Sequence, residues 1–166
     1  MGQRMYTFDE QFDTGLAGED FLDKYFGARF DIRKADMTQQ RQELDRIFTE
    51  RATGKRITVE YKTDTRAFIT GNAFVEIVSN TTTGARGWAH MSQASHLMYY
   101  VPGADTVYVI HMRRLRGNVP RWELEHRVVS VRNDRYETKG ILVPLDEFER
   151  IAKAIIDLSN YLPISE

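Results

Sequence analysis

Glu60, Tyr61 and Lys62 lie in a run, 57–62, that is rich in β-branched and aromatic residues. In an extended strand side chains alternate between faces, so Ile57, Val59 and Tyr61 go one way while Thr58, Glu60 and Lys62 go the other. The Cα atoms of Glu60 and Lys62 are then about 7 Å apart, close enough for two long side chains to address one phosphate. Asp45 lies 15 residues before Glu60 and opens a second extended run, 45–49. The segment between the two runs, residues 50–55, is polar and contains Gly54, as a hairpin connection requires. Antiparallel pairing is therefore expected to bring Asp45 alongside Glu60. Two carboxylates at that distance repel each other unless one raises its pKa or a cation lies between them. A hard divalent cation with oxygen ligands, Mg²⁺ with Mn²⁺ as a substitute, meets that need. The chemistry expected of such a site is phosphodiester hydrolysis. The metal would polarise the phosphate and acidify water, Lys62 would orient or deprotonate the attacking water, and the Tyr61 carbonyl could add a ligand. On this reading Asp45→Ala abolishes cleavage and, by relieving repulsion, raises the stability of the metal-free protein.

A Glu-x-Lys string alone occurs by chance in roughly half of chains this long, so context has to carry the assignment. Glu137-Thr138-Lys139 matches too, but it lies beside Asn133-Asp134 and Gly140 and reads as a loop. Other chemistries fall away. There is no cysteine, which removes thiolate metal sites and thiol nucleophiles. His90, His96, His111 and His126 contain no i, i+4 pair. Thr53-Gly54-Lys55 lacks the upstream glycine of a phosphate loop, and Arg56 stands where that loop has Ser or Thr.

The elements that must position these residues follow from hydrophobic period and turn residues. Residues 17–26 read as a helix with Leu22 and Phe26 on one side. Glu19, three before Leu22 and seven before Phe26, faces the same way, toward whatever the helix covers. The alternative role for Glu19 is to complement the helix dipole from the first turn. Extended segments are expected at 29–34, 45–49, 56–62 and 73–79, with a turn at Thr70-Gly71-Asn72, as a meander. A helix over 88–101, a buried strand over 106–112, a strand pair at 122–131 and 136–143, and a closing helix over 145–162 complete the chain. The fold class is α/β (α+β): a mixed central sheet flanked by helices, with an added C-terminal strand pair and helix.

At 166 residues one domain is expected, 1–166, with a core of about 17–112 and 113–166 packed on it as an extension. With 42% apolar and 28% charged residues and no apolar run near the roughly 20 residues of a membrane span, a soluble chain is expected. Without an apolar leader or cysteine, the expected location is the cytoplasm. The net charge of −1 is segregated: residues 1–26 carry two basic and six acidic side chains, whereas 27–66 carry ten and seven, and 110–139 eight and four. Local surface rather than total charge decides whether phosphates are attracted.

Asp45, then Glu60-Tyr61-Lys62, with Glu19 on the leading helix and a helix and strand after them, resembles the PD-(D/E)XK nuclease superfamily. Residues 40–45, Val59-Glu60-Tyr61-Lys62-Thr63-Asp64, and Thr70-Gly71-Asn72 before Phe74-Val75-Glu76 resemble its small phage-type nucleases, which share their layout with archaeal Holliday-junction resolvases. The likeness spans about 17–112, and departs from the motif in having Leu44 where a proline is usual. The resemblance implies a restriction-endonuclease-like αβββαβ core, Asp45 and Glu60 as metal ligands, Lys62 as the catalytic lysine and Glu19 as an auxiliary ligand. Glu76 and Gln40 are further auxiliary candidates. Lys55, Arg56, Arg66, Arg41, Arg113 and Arg114 are candidates for contact with the backbone of duplex, branched or nicked DNA. Cutting both strands would favour a symmetric homodimer. The competing function is a non-catalytic DNA-binding or assembly module that retains the fold.

Overall fold

The computed structural model describes the backbone of residues 8–42 and 44–162, with side chains from residue 14 onward. The first half of the chain runs α1 (Phe8–Phe26), β1 (Phe30–Lys34), α2 (Met37–Gln40), β2 (Arg46–Glu50), β3 (Arg56–Thr63), α3 (Ala67–Thr70), β4 (Asn72–Asn80), β5 (Ala85–Arg86) and α4 (Trp88–Met91). The second half runs β6 (His96–Val101), a 3-10 turn (Pro102–Ala104), β7 (Thr106–His111), α5 (Met112–Glu125), β8 (Val128–Arg132), β9 (Glu137–Pro144), α6 (Leu145–Ile151) and β10 (Ala154–Asp157).

Six strands form one sheet in the order β1-β2-β3-β6-β7-β10. β1, β2 and β3 are antiparallel neighbours, β6 joins β3 in parallel, and β7 and β10 follow antiparallel. The central sheet is thus mixed and flanked by helices, the class the periodicities predict. Leu22 and Phe26 of α1 bury against Phe48, Val59 and Tyr61 on one face. Gly18 makes the close approach feasible: a Cβ there would lie 2.0 Å from Thr63 Oγ1.

A second sheet, β5-β4-β9-β8, covers the other face. Between the sheets lies the larger core. Leu97, Tyr99, Tyr108 and Ile110 of the first sheet meet Ala73, Val75, Ile141 and Val143 of the second, and Trp122 of α5 and Phe148 of α6 seal it. Segments from both halves of the sequence share this core, because β4 pairs with β9.

Several expected elements differ. The helix over 88–101 is one helical turn, α4, followed by the strand β6, whose six residues are all buried. A strand buried on both faces loses its period-2 signal, and Trp88, Met91, Met98 and Tyr99 then mimic a helical stripe. The expected strand at 122–131 begins as helix: α5 buries Met112, Leu115, Val119 and Trp122 on one side and carries Pro120 inside it. The closing helix ends at Ile151, and residues 154–157 add an edge strand to β7. The meander stops at three strands, because β4 leaves for the second sheet. Glu137-Thr138-Lys139 opens β9 instead of forming a loop.

Candidate active site

β2 and β3 pair with Arg46 opposite Val59, and Asp45 stands at the point where β2 begins, beside the same stretch of β3. The Asp45 N–H donates to the Val59 carbonyl at 2.9 Å, and its Oδ2 accepts the Tyr61 N–H at 2.8 Å. Asp45's side chain thereby supplies the acceptor that the β2 main chain no longer provides. A strand residue's N–H and C=O point to the same edge, so the Tyr61 carbonyl also opens toward Asp45. Glu60 is 2% exposed, and Lys62 Nζ lies 2.7 Å from its Oε1. The ammonium also sits 5.8 Å from the centroid of the Trp88 ring. Burial pulls the Lys62 pKa down, but Glu60, through charge and hydrogen bond, and then Asp45 and Glu76 hold it above its ordinary value. Lys62 is therefore a cation paired with Glu60 and within the fields of Asp45 and Glu76.

Glu19 reaches this cluster from the opposite face of the sheet. Val59 and Tyr61 belong to the core under α1, whereas Lys62 contacts Trp88, a residue of the inter-sheet core. Glu19 and Asp23, one turn apart on α1, are both held by Arg46, which is 4% exposed. Arg46 Nε donates to both Asp23 oxygens at 3.1 and 3.0 Å, Nη2 to Glu19 Oε2 at 3.0 Å, and Nη1 to the Asp45 carbonyl at 3.1 Å. Its guanidinium lies 5.3 Å from the Tyr61 ring centroid, and the Tyr61 hydroxyl donates to Asp23. Burial, then the charge of Asp45, raises the Glu19 pKa, with Arg46 opposing them. Asp45 is thus felt by Glu19 from one face and by Lys62 from the other.

The structure brings Asp45, Glu60 and Lys62 together, sets Glu76 within electrostatic reach of Lys62, and gives Glu19 to Arg46. Gln40 Nε2 donates to the Ala35 carbonyl, bracing the α2 turn before Asp45. Lys55 and Arg56 lie at the start of β3, Arg66 and Arg41 flank α3 and α2, and Arg113 and Arg114 lie in the first turn of α5. Sequence reasoning missed Arg46. Its signal was a basic residue sharing the helix-facing side of β2 with Phe48, opposite two acids four apart on α1.

The oxygen donors here are carboxylates and a main-chain carbonyl, without imidazole or thiol, which is a set suited to Mg²⁺ or Mn²⁺. Mg²⁺ needs only one or two protein carboxylates, because waters and substrate complete its shell. The donor set fits. Among the described residues, Glu125, His126 and Glu147 are the one trio of potential ligands whose ligand atoms lie within 4.8 Å of one another. Glu147, however, accepts from Arg121 at 2.7 Å and from Trp122 Nε1 at 3.2 Å. The Arg121 hydrogen bond comes first among the causes that hold the Glu147 carboxyl at about 2. That trio is accounted for as a staple between α5 and α6.

No protein-family model matches the chain, and no curated protein matches it. Among solved structures, a bacterial homing endonuclease superposes with a TM-score of 0.43 and 14% sequence identity, over 84% of this chain and 77% of that one.

Proposed function

We propose that the protein is a divalent-metal-dependent DNA endonuclease of the PD-(D/E)XK type, with its reactive centre at Asp45, Glu60 and Lys62. The observation that supports this reading is the β2–β3 pairing, in which Asp45 accepts from the Tyr61 N–H and Lys62 is ion-paired with the adjacent Glu60. Asp45, Glu60 and the Tyr61 carbonyl would hold the cation, with Glu76 at the rim. A bound cation supplies Lewis-acid stabilisation of charge building on a phosphoryl oxygen and lowers the pKa of water. Lys62, whose pKa is raised, works as an ammonium: it orients the attacking water and offsets transition-state charge, and is not a base at neutral pH. Glu19 acts through Asp45, since its own carboxylate is bound to Arg46.

A second reading, a DNA-binding or assembly module that keeps this fold without cutting, is favoured by one observation. Lys62 and Arg46 already neutralise Glu60 and Glu19, so these acids persist without a metal. Incubating the protein with supercoiled plasmid and with a four-way junction in Mg²⁺, Mn²⁺ or EDTA separates the two readings. Metal-dependent cutting that Glu60→Gln abolishes supports the nuclease, and salt-sensitive binding without cutting in any metal selects the module.

A further inference from the structure

One end of the six-stranded sheet collects uncompensated positive charge. An open groove there is lined by the 92–95 segment and by His111, Arg113, Arg114 and Arg116, with no acidic residue among its walls. Arg114 donates to the Ile151 carbonyl at 3.2 Å, and Arg116 to the Ala89 and Ser92 carbonyls at 3.1 and 2.6 Å. These guanidiniums are held by main-chain acceptors, and no carboxylate among the described residues forms an ion pair with them.

The placement is also locally unfavourable. Three arginines occupy the opening residues of α5, a 14-residue helix with no acid in its first turn and no side-chain cap. Cations at that end oppose the helix dipole, where acids are the stabilising choice. His96 in the neighbouring strand is 5% exposed. Its ring packs 4.5 Å from that of His111. Burial first, and then the charges of His111, Lys153 and Lys55, hold its pKa down to about 4. A local cost of this kind at a solvent-facing groove marks a place where an anion completes the structure.

The groove is hydrogen-bonded to the segments that lead into the reactive centre. Gln93 N–H donates to the Gln42 carbonyl, three residues before Asp45. Ser95 N–H donates to Thr58 Oγ1 at 2.8 Å, and Ser95 Oγ to the Thr58 carbonyl at 3.0 Å, two residues before Glu60. Arg116 grips α4, whose Trp88 lies against Lys62.

We infer that this groove, through Arg113 and Arg114, is the track for the phosphodiester backbone of duplex DNA running past the reactive centre. The inference rests on the nuclease reading for the identity of the polyanion and on the groove's own charge for the contact. Recognition of this kind is independent of base sequence and steeply dependent on salt, because each neutralised phosphate releases counterions.

The test measures binding of a fluorescein-labelled DNA duplex by anisotropy in EDTA across a salt series. It compares the wild type, Arg113→Gln/Arg114→Gln, and the charge-matched Arg127→Gln/Arg132→Gln on the opposite sheet, with melting curves to establish that all three fold. At roughly 0.9 per phosphate contact, losing two contacts lowers the salt slope by about 1.8 and weakens binding roughly sixtyfold at 0.1 M salt. That loss in the groove variant alone supports the inference. An unchanged slope, or an equal loss in the control pair, overturns it. Plasmid cleavage is scored separately. A wild type that cuts while the groove variant binds normally sinks the track and leaves the nuclease, whereas groove-dependent binding without cutting does the reverse.

Discussion

Replacing Arg46 by methionine should destabilise the protein by about 3 kcal/mol at pH 7. Arg46 is buried and donates four hydrogen bonds, three to carboxylate oxygens and one to the Asp45 carbonyl. Removing one partner from a buried ionic cluster costs roughly 3–5 kcal/mol. The Glu19 and Asp23 side chains remain 25% and 23% exposed, so water takes up part of the lost pairing, and we take the lower end of that range. For a chain of this size the melting temperature should fall by roughly 6–12 °C. The loss should also depend on pH. The folded pKa of Glu19 already lies above 4.5 because of burial and then Asp45, and removing Arg46 takes away a charge that lowers it. A carboxyl with a raised folded pKa contributes stability that is present below its unfolded value and is lost as pH rises through the folded one. The penalty of Arg46→Met is therefore largest at neutral pH and shrinks as the pH falls toward 4.5. Urea denaturation at both pH values measures it. A loss below about 1 kcal/mol, or one equal at the two pH values, would refute the ionic account of Arg46.

Three further outcomes follow from the same geometry. Asp45→Asn keeps an acceptor for the Tyr61 N–H while removing a charge, whereas Asp45→Ala orphans that donor. The alanine variant should be the less stable by about 1–3 kcal/mol, so the gain expected from relieving repulsion belongs to asparagine, and equal melting temperatures would show the hydrogen bond to be idle. Gly18→Ala should cost about 1–3 kcal/mol, because its Cβ meets Thr63, and Thr63→Ala in the same chain should recover part of it. No recovery in the double variant would place the cost elsewhere. Glu147, held at about 2 with Arg121 as the leading cause, stabilises the fold above its unfolded value of 4.5 and loses that contribution as pH falls toward 2. Denaturation midpoints of Glu147→Gln should be flatter over that interval than those of the wild type, and parallel curves would contradict the assignment.

The local facts were legible in the sequence. Alternation through 57–62 put Glu60 and Lys62 on one face, the polar glycine-bearing link made a hairpin of 45–62, and Leu22 and Phe26 marked the side of α1 that packs. These depend on the few residues either side, where the strand and helix periods act directly. What lay beyond that range was settled by tertiary structure. β6 is a strand because layers bury it on both faces, which erases the alternation that would have announced it. Glu76 comes within electrostatic reach of Lys62 because β4 left the first sheet to pair with β9, far along the chain. Glu19 faces inward as its spacing requires, yet Arg46 claims it, since only the packing of α1 on β2 sets those two residues within 3.0 Å. Spacing tells where a side chain points. What it meets there depends on which distant segment packs against it.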